Sequence, residues 1–202
     1  LNYKVISIIT NELRKDNYSI VSAAITSNGI LFNDELIMNI KKDWGITNIQ
    51  ITLDGVGETY NNVKGIPDSF EIVCDNIEKI SIAGIKVSVR MNIGKENIED
   101  IEKLVEYLPT RFTKCENIFF YLFPIFAEDE AAPKDIMYHI MRLNKKMFDL
   151  GLVGKNVYHF KYRSVGCVHA TRRGYTIAPD GRLYNCSHTI RQDLSIGTLD
   201  KF

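Results

Sequence analysis

Asn48-Ile49-Gln50-Ile51-Thr52-Leu53-Asp54-Gly55 alternates apolar and polar side chains and then runs into a turn signal. A period of two is that of a β-strand, so Ile49, Ile51 and Leu53 share one face and Gln50, Thr52 and Asp54 the other. The pattern returns at Lys86 to Met91, where Val87, Val89 and Met91 alternate with Ser88, Arg90 and Asn92. Tyr18 to Thr26 reads as an earlier strand with Ser22, Thr26 and the following Asn28 on one face, and Ile118 to Phe123 as a later one.

The segments between these strands have helical spacing. Leu36, Ile37, Ile40 and Trp44 follow a cap at Asn33 or Asp34 and stop at Gly45. Asp68 is placed to cap a helix carrying Phe70, Val73, Ile77 and Ile80 as far as Gly84. Asn97 caps one with Ile98, Ile101, Leu104, Val105 and Leu108 that ends before Pro109. Pro133 opens and Gly151 closes a helix with Ile136, Met137, Ile140, Leu143 and Met147 inside, and Leu1 to Lys15 carries Val5, Ile6, Ile9 and Leu13 at helical spacing. Alternation of strand and helix predicts an α/β fold with a parallel sheet and right-handed crossovers.

Parallel strands covered on both faces run almost continuously apolar, and these do not. A buried polar group without a partner costs about 1 to 3 kcal/mol, so a polar sheet face must line a ligand, line water or satisfy itself. Open and barrel-like parallel sheets bind ligands at the C-terminal strand ends, which is where Asn28, Asp54 and Asn92 fall. The competing expectation is an internal network of Gln50, Thr52, Ser88 and Arg90. The aromatic run from Phe119 to Phe126 reads as core.

Lys plus Arg and Asp plus Glu number 25 each in 202 residues, which gives no basic field for nucleic acid and favours a small-molecule or peptide partner. No apolar run reaches the roughly 18 residues of a membrane span and the start of the chain has no signal-peptide pattern, so a cytoplasmic location is expected. Of the four cysteines, Cys74 and Cys115 sit in apolar surroundings. Cys167 and Cys186 differ: each precedes a histidine by two residues, and between them Pro179-Asp180-Gly181 makes a turn flanked by Tyr175 and Ile177 on one side and Leu183 and Tyr184 on the other. In a cytoplasmic chain such a pair points to metal rather than to a disulfide. One assignment is a closed zinc site of Cys167, His169, Cys186 and His188 in a non-catalytic module.

Thr26-Ser27-Asn28-Gly29-Ile30-Leu31, Ile49 to Gly55 and Val89-Arg90-Met91-Asn92-Ile93, in this order, resemble central strands of radical S-adenosylmethionine (SAM) enzymes. Cys167, Gly181 and Cys186 are spaced like the opening of the SPASM extension, which carries auxiliary iron-sulfur clusters. The nearest relatives by this resemblance are anaerobic sulfatase-maturating and peptide-modifying radical enzymes. It implies a partial parallel (β/α) barrel over residues 1–160, with the first β/α units missing, and a truncated auxiliary domain with a Cys-bearing hairpin over 161–202.

The resemblance implies that Asn28 and Gly29 line the SAM pocket, that Thr52 contacts the methionine part with Asp54 on the same rim, and that Arg90 and Asn92 complete the cofactor-binding lumen. Lys64 or Val63 stands where the family often has an arginine. Cys167 and Cys186 are the implied metal ligands, and no catalytic residue is assigned. The full-length protein is then expected to hold SAM and 4Fe-4S clusters and to modify a protein or peptide through hydrogen abstraction by a deoxyadenosyl radical. The family's Cys-x-x-x-Cys-x-x-Cys loop has no counterpart, so an inactive fragment that binds no cofactor is expected, with a naturally degenerate member as the alternative. An exposed strand at residues 19–26 is expected to make such a fragment self-associate.

Overall fold

The computed structural model describes residues 3–16, 20, 22–113, 115–125, 134–154, 174–186 and 190–199. The chain divides into two compact units, Leu1–His159 and Phe160–Phe202.

The first unit is built on a four-stranded parallel sheet of β1 (Ala24–Ser27), β2 (Asn48–Thr52), β3 (Lys86–Ile93) and β4 (Ile118–Pro124), lying side by side in chain order. Around it are α1 (Tyr3–Lys15), α2 (Asp34–Lys42), α3 (Gly57–Lys64), α4 (Ser69–Ile82), α5 (Ile98–Arg111) and α6 (Lys134–Asp149). The alternation seen in the sequence becomes the division of the sheet. Ile49, Ile51, Val87, Val89, Met91 and Phe120 are buried together with helix residues such as Ile40, Val73, Ile77, Leu104 and Leu143 in one cluster. The other face carries Gln50, Thr52, Ser88, Arg90, Asn92 and Tyr121, all only half-buried. Among the described residues no helix is long and apolar enough to cross a membrane.

Several local expectations change. The first strand is shorter than the reading Tyr18 to Thr26, beginning at Ala24, while residues 17–19 and 21 lie outside the described residues. Asn33 caps α2 as expected, its Oδ1 accepting from Leu36 N at 2.8 Å. Asp68 occupies the position before α4 but makes no side-chain cap, because its backbone is left-handed (φ 55°). The buried Asn61 of α3 caps α4 instead, its Oδ1 accepting from Phe70 N at 2.9 Å and from the Ser69 hydroxyl at 3.1 Å. Asn97 likewise does not cap α5. Its Nδ2 donates to the Asn92 carbonyl at 2.9 Å and its Oδ1 accepts from Gly94 N at 2.8 Å, which fixes the turn leaving β3. Pro109 lies inside α5 rather than after it: the missing N–H falls in the last turn, where the helix needs little more from it.

The second unit contains an antiparallel sheet of β5 (Thr176–Ile177), β6 (Arg182–Tyr184) and β7 (Gly197–Thr198), with β6 central. The Pro179-Asp180-Gly181 turn forms as read, with Gly181 at φ 80° and its N–H bonded to the Ala178 carbonyl at 2.9 Å. The third strand, β7, was not legible in the sequence. Cys186 follows β6 and is half-buried, while Cys167, His169 and His188 lie outside the described residues.

Candidate functional site

Parallel registration turns the polar face into rows. Thr26, Gln50, Ser88 and Phe119 form one row, and Thr52, Arg90 and Tyr121 the next toward the C-terminal ends. Asn92 pairs with Phe123 in the row above, beside Asp54 at the end of β2.

Asp54 ties this rim together. Its Oδ1 accepts from the Asn92 amide at 2.9 Å and its Oδ2 faces Lys64 Nζ at 3.4 Å, so both oxygens are engaged and the two charges compensate. Of the two residues considered for the family arginine, Lys64 reaches the rim and Val63 is exposed to solvent. Below it the fully buried Tyr60 donates to the Thr52 carbonyl at 3.1 Å and packs edge-on against Phe70. Burial, reinforced by the Asp54 carboxylate, pushes the Tyr60 phenol well above its ordinary range, so it serves as a donor and not as a base.

Gly29 shapes the site by what it lacks. At φ 83° a Cβ there would sit 3.0 Å from both Ile51 Cγ2 and Val73 Cγ1. Its carbonyl accepts from Asn76 Nδ2 at 2.8 Å and its N–H donates to Ser27 Oγ at 3.2 Å, so it offers a bend and not a free backbone group. The neighbouring Asn28 is exposed, with Oδ1 accepting from Ile30 N at 3.3 Å. Among the described residues the Asn28 amide nitrogen and the Thr52 hydroxyl have no protein partner.

The internal network read from Gln50, Thr52, Ser88 and Arg90 forms with other partners. Gln50 accepts from Tyr121 OH at 2.7 Å, Ser88 donates to Asn48 at 3.1 Å, and Arg90 Nε donates to Asn92 Oδ1 at 2.7 Å. Tyr121 belongs to the aromatic run read as core, and that reading fails for the residues facing this side. Phe120 is buried, but Phe119 is 55% and Phe123 37% exposed, while Tyr121 is half-buried. The missed signal was again period two, because Phe119, Tyr121 and Phe123 alternate onto the polar face. A cleft of about 260 Å³ opens at the N-terminal end of this face between Asn48, Ser88 and Phe119, at the opposite end from Asp54. The Cys74 thiol is not available for chemistry here: it is fully buried, and burial pushes it up to about 12.

Residues 1–108 match the family described as the Radical SAM superfamily. The chain is 30% identical over 119 residues to the Fe-coproporphyrin III synthase of Methanosarcina barkeri, a match covering 59% of this chain and 25% of that protein. It is 30% identical over 82 residues to the sporulation killing factor maturation protein SkfB of Bacillus subtilis, covering 41% of this chain and 20% of SkfB. The matches thus span a quarter or less of these relatives' length. In fold the chain resembles anSMEcpe with bound AdoMet, with TM-score 0.68, 14% identity, and coverage of 99% of this chain and 60% of that one. It also resembles Streptococcus suis SuiB bound to the precursor peptide SuiA, with TM-score 0.61, 12% identity, and coverage of 93% and 46%.

Proposed function

The chain belongs to the radical SAM superfamily, whose members are enzymes, and from that premise we propose that the rim of β1 and β2 binds SAM and that the protein modifies a peptide. The observation that carries this reading is a polar rim left open among the described residues. Among the described residues Asn28 and Thr52 retain unpaired hydrogen-bonding groups, and Asp54 on the same rim is already fixed by Asn92 and Lys64. A cofactor with an amino-acid part and a ribose suits such a set, because its polar atoms replace water on the half-buried Thr52 and the exposed Asn28. Gly29 gives the bend beside it, and Asn28, Thr52 and Asp54 hold and orient the ligand.

When bound to a reduced iron-sulfur cluster, SAM supplies a radical that abstracts hydrogen. Among the described residues no three His, Cys, Asp or Glu gather into a metal site, so no ligand for that cluster is assigned here. The auxiliary-domain proposal rests on Cys167 and Cys186, and the zinc alternative on the same pair with His169 and His188. Only Cys186 of these four lies within the described residues.

A peptide substrate is supported by SkfB, named as a maturation protein, and by SuiB, solved with a precursor peptide. A sulfatase-maturase-like reaction is the narrower form of this proposal. A porphyrin-type substrate is the second reading, favoured by the Fe-coproporphyrin III synthase. The experiment is anaerobic assay of the intact protein with SAM and dithionite, reading deoxyadenosine with a candidate peptide and with an iron porphyrin. Deoxyadenosine that rises with the peptide is expected. A rise with the porphyrin alone would replace the peptide reading, and none under any condition would contradict the proposed activity. The isolated 202-residue chain, whose four cysteines include no Cys-x-x-x-Cys-x-x-Cys, is proposed to make none.

A further inference from the structure

Among the described residues Arg90, on the polar face, has no ion-pair partner. It starts in the row of Thr52 and Tyr121, but its guanidinium rises to the next row, where Nε donates to Asn92 at 2.7 Å and the guanidinium carbon stands 3.8 Å above the centre of the Phe123 ring. Asn92 and Phe123 are register partners on β3 and β4, so the two contacts fix the plane of the cation from its edge and from its face. A guanidinium has two edges that can grip a carboxylate through paired N–H bonds, one including Nε and one made by the two terminal nitrogens. The first is occupied by Asn92. The second has no hydrogen-bond or ion-pair partner among the described residues.

Among the described residues neighbouring charges do not supply one. Asp54, the carboxylate of this rim, spends its oxygens on the Asn92 amide and on Lys64. Burial raises the Tyr121 phenol and the Arg90 cation opposes that rise, so the nearest acidic proton in this row is a phenol that stays on its oxygen, bonded to Gln50. A half-buried guanidinium, immobilised on two sides and aimed along the strands, has lost rotamer freedom before any ligand arrives. That is the arrangement of a recognition fork rather than of a structural ion pair.

We infer that Arg90, held by Asn92 and Phe123, is a specificity-determining residue that binds a carboxylate of the substrate, an acidic side chain in the case of a peptide. The inference rests on the proposed radical SAM function and deepens it. The substrate, and not SAM, is assigned to Arg90 because the groups proposed for the cofactor lie on β1 and β2, whereas Arg90 leans away from them onto the β4 side chain Phe123.

The test uses nitrogen-15 NMR of the intact protein, following the Arg90 Nε–H signal, which is identified by its loss in Arg90→Lys. Glutarate, glutaramide, SAM and decarboxylated SAM are the probes. Glutarate is expected to shift the signal with SAM already saturating, glutaramide is not, and Phe123→Leu should weaken the glutarate response tenfold or more, equivalent to about 1.4 kcal/mol. A shift given by SAM but not by decarboxylated SAM, with glutarate then silent, would overturn the inference by assigning the fork to the cofactor carboxylate. Silence with every probe would overturn it as well. A glutarate shift in a protein that calorimetry shows not to bind SAM would uphold the carboxylate fork and contradict the proposed function instead. Phe123→Leu retains the Arg90 side chain while removing one of its two supports, so its effect is read even if Arg90→Lys alters packing.

Discussion

Asn61 shows how much one side chain can carry without a local signature. It reaches out of α3 to cap α4, accepting from Phe70 N and Ser69 Oγ, while its Nδ2 faces Glu58 at 3.3 Å. Asn61→Ala is expected to lower stability by about 1 to 3 kcal/mol in urea unfolding, because it strands a buried amide and hydroxyl. Asp68→Gly is expected to stay within about 0.5 kcal/mol of the parent, since Asp68 caps nothing and glycine suits its left-handed backbone. The reverse ranking would contradict the assignment. Sequence reasoning chose Asp68 because a cap is sought immediately before a helix, and a cap eight or nine residues away is invisible to that rule. The site divides in the same way. Thr52, Asp54, Arg90 and Asn92 could be placed on one face by period two alone, whereas the bonds of Asp54 to Asn92 and of Arg90 to Phe123 depend on register between strands.

At the scale of elements, α5 and α6 are joined by a charged cluster. Arg142 donates to both oxygens of Glu102 at 2.9 and 2.7 Å, and Lys146 Nζ lies 3.2 Å from the same carboxylate. These bonds, Arg142 first, lower the Glu102 carboxyl from 4.5 to about 2. A depressed folded value means that the stabilisation is complete above about 4.5 and is lost as pH falls toward about 2. Glu102→Gln should therefore flatten part of the acid limb of thermal stability in that window and lower stability at pH 7 by up to about 1 kcal/mol, the range of partly exposed pairs. An unaltered acid limb would show that the cluster does not hold in solution. β1 poses a different problem. In the described sheet it pairs only with β2, and Ala24–Ser27 has no Pro, Lys, Asp or Glu to blunt its outer side. Self-association through this edge is proposed, and Ala24→Lys, on an exposed position, should weaken it in light scattering at micromolar concentration. A parent protein that stays monomeric throughout would refute it. The helix α3 escaped the sequence reading because Gly57–Lys64 has no apolar stripe of its own; Tyr60 is its one buried large apolar residue.

For the whole molecule the sequence is most informative where periodicity is enforced by burial. The parallel sheet follows from strands whose apolar sets, such as Ile49 with Ile51 and Val87 with Val89, must face the same helices. The C-terminal sheet is less legible because β5 and β7 are two residues each, too short to show a period. Among the described residues the polar face of the sheet stays open while the other face is well buried, and it is there that the cofactor is proposed to lie. The direct measurement is calorimetric titration of SAM into the intact, anaerobically prepared protein, set beside Thr52→Val and Asn28→Ala. Each substitution is expected to weaken binding about tenfold, as for the loss of one hydrogen bond to the ligand, with Glu102→Gln leaving it unchanged. SAM affinity untouched by both rim substitutions would contradict the assignment of this rim as the cofactor site.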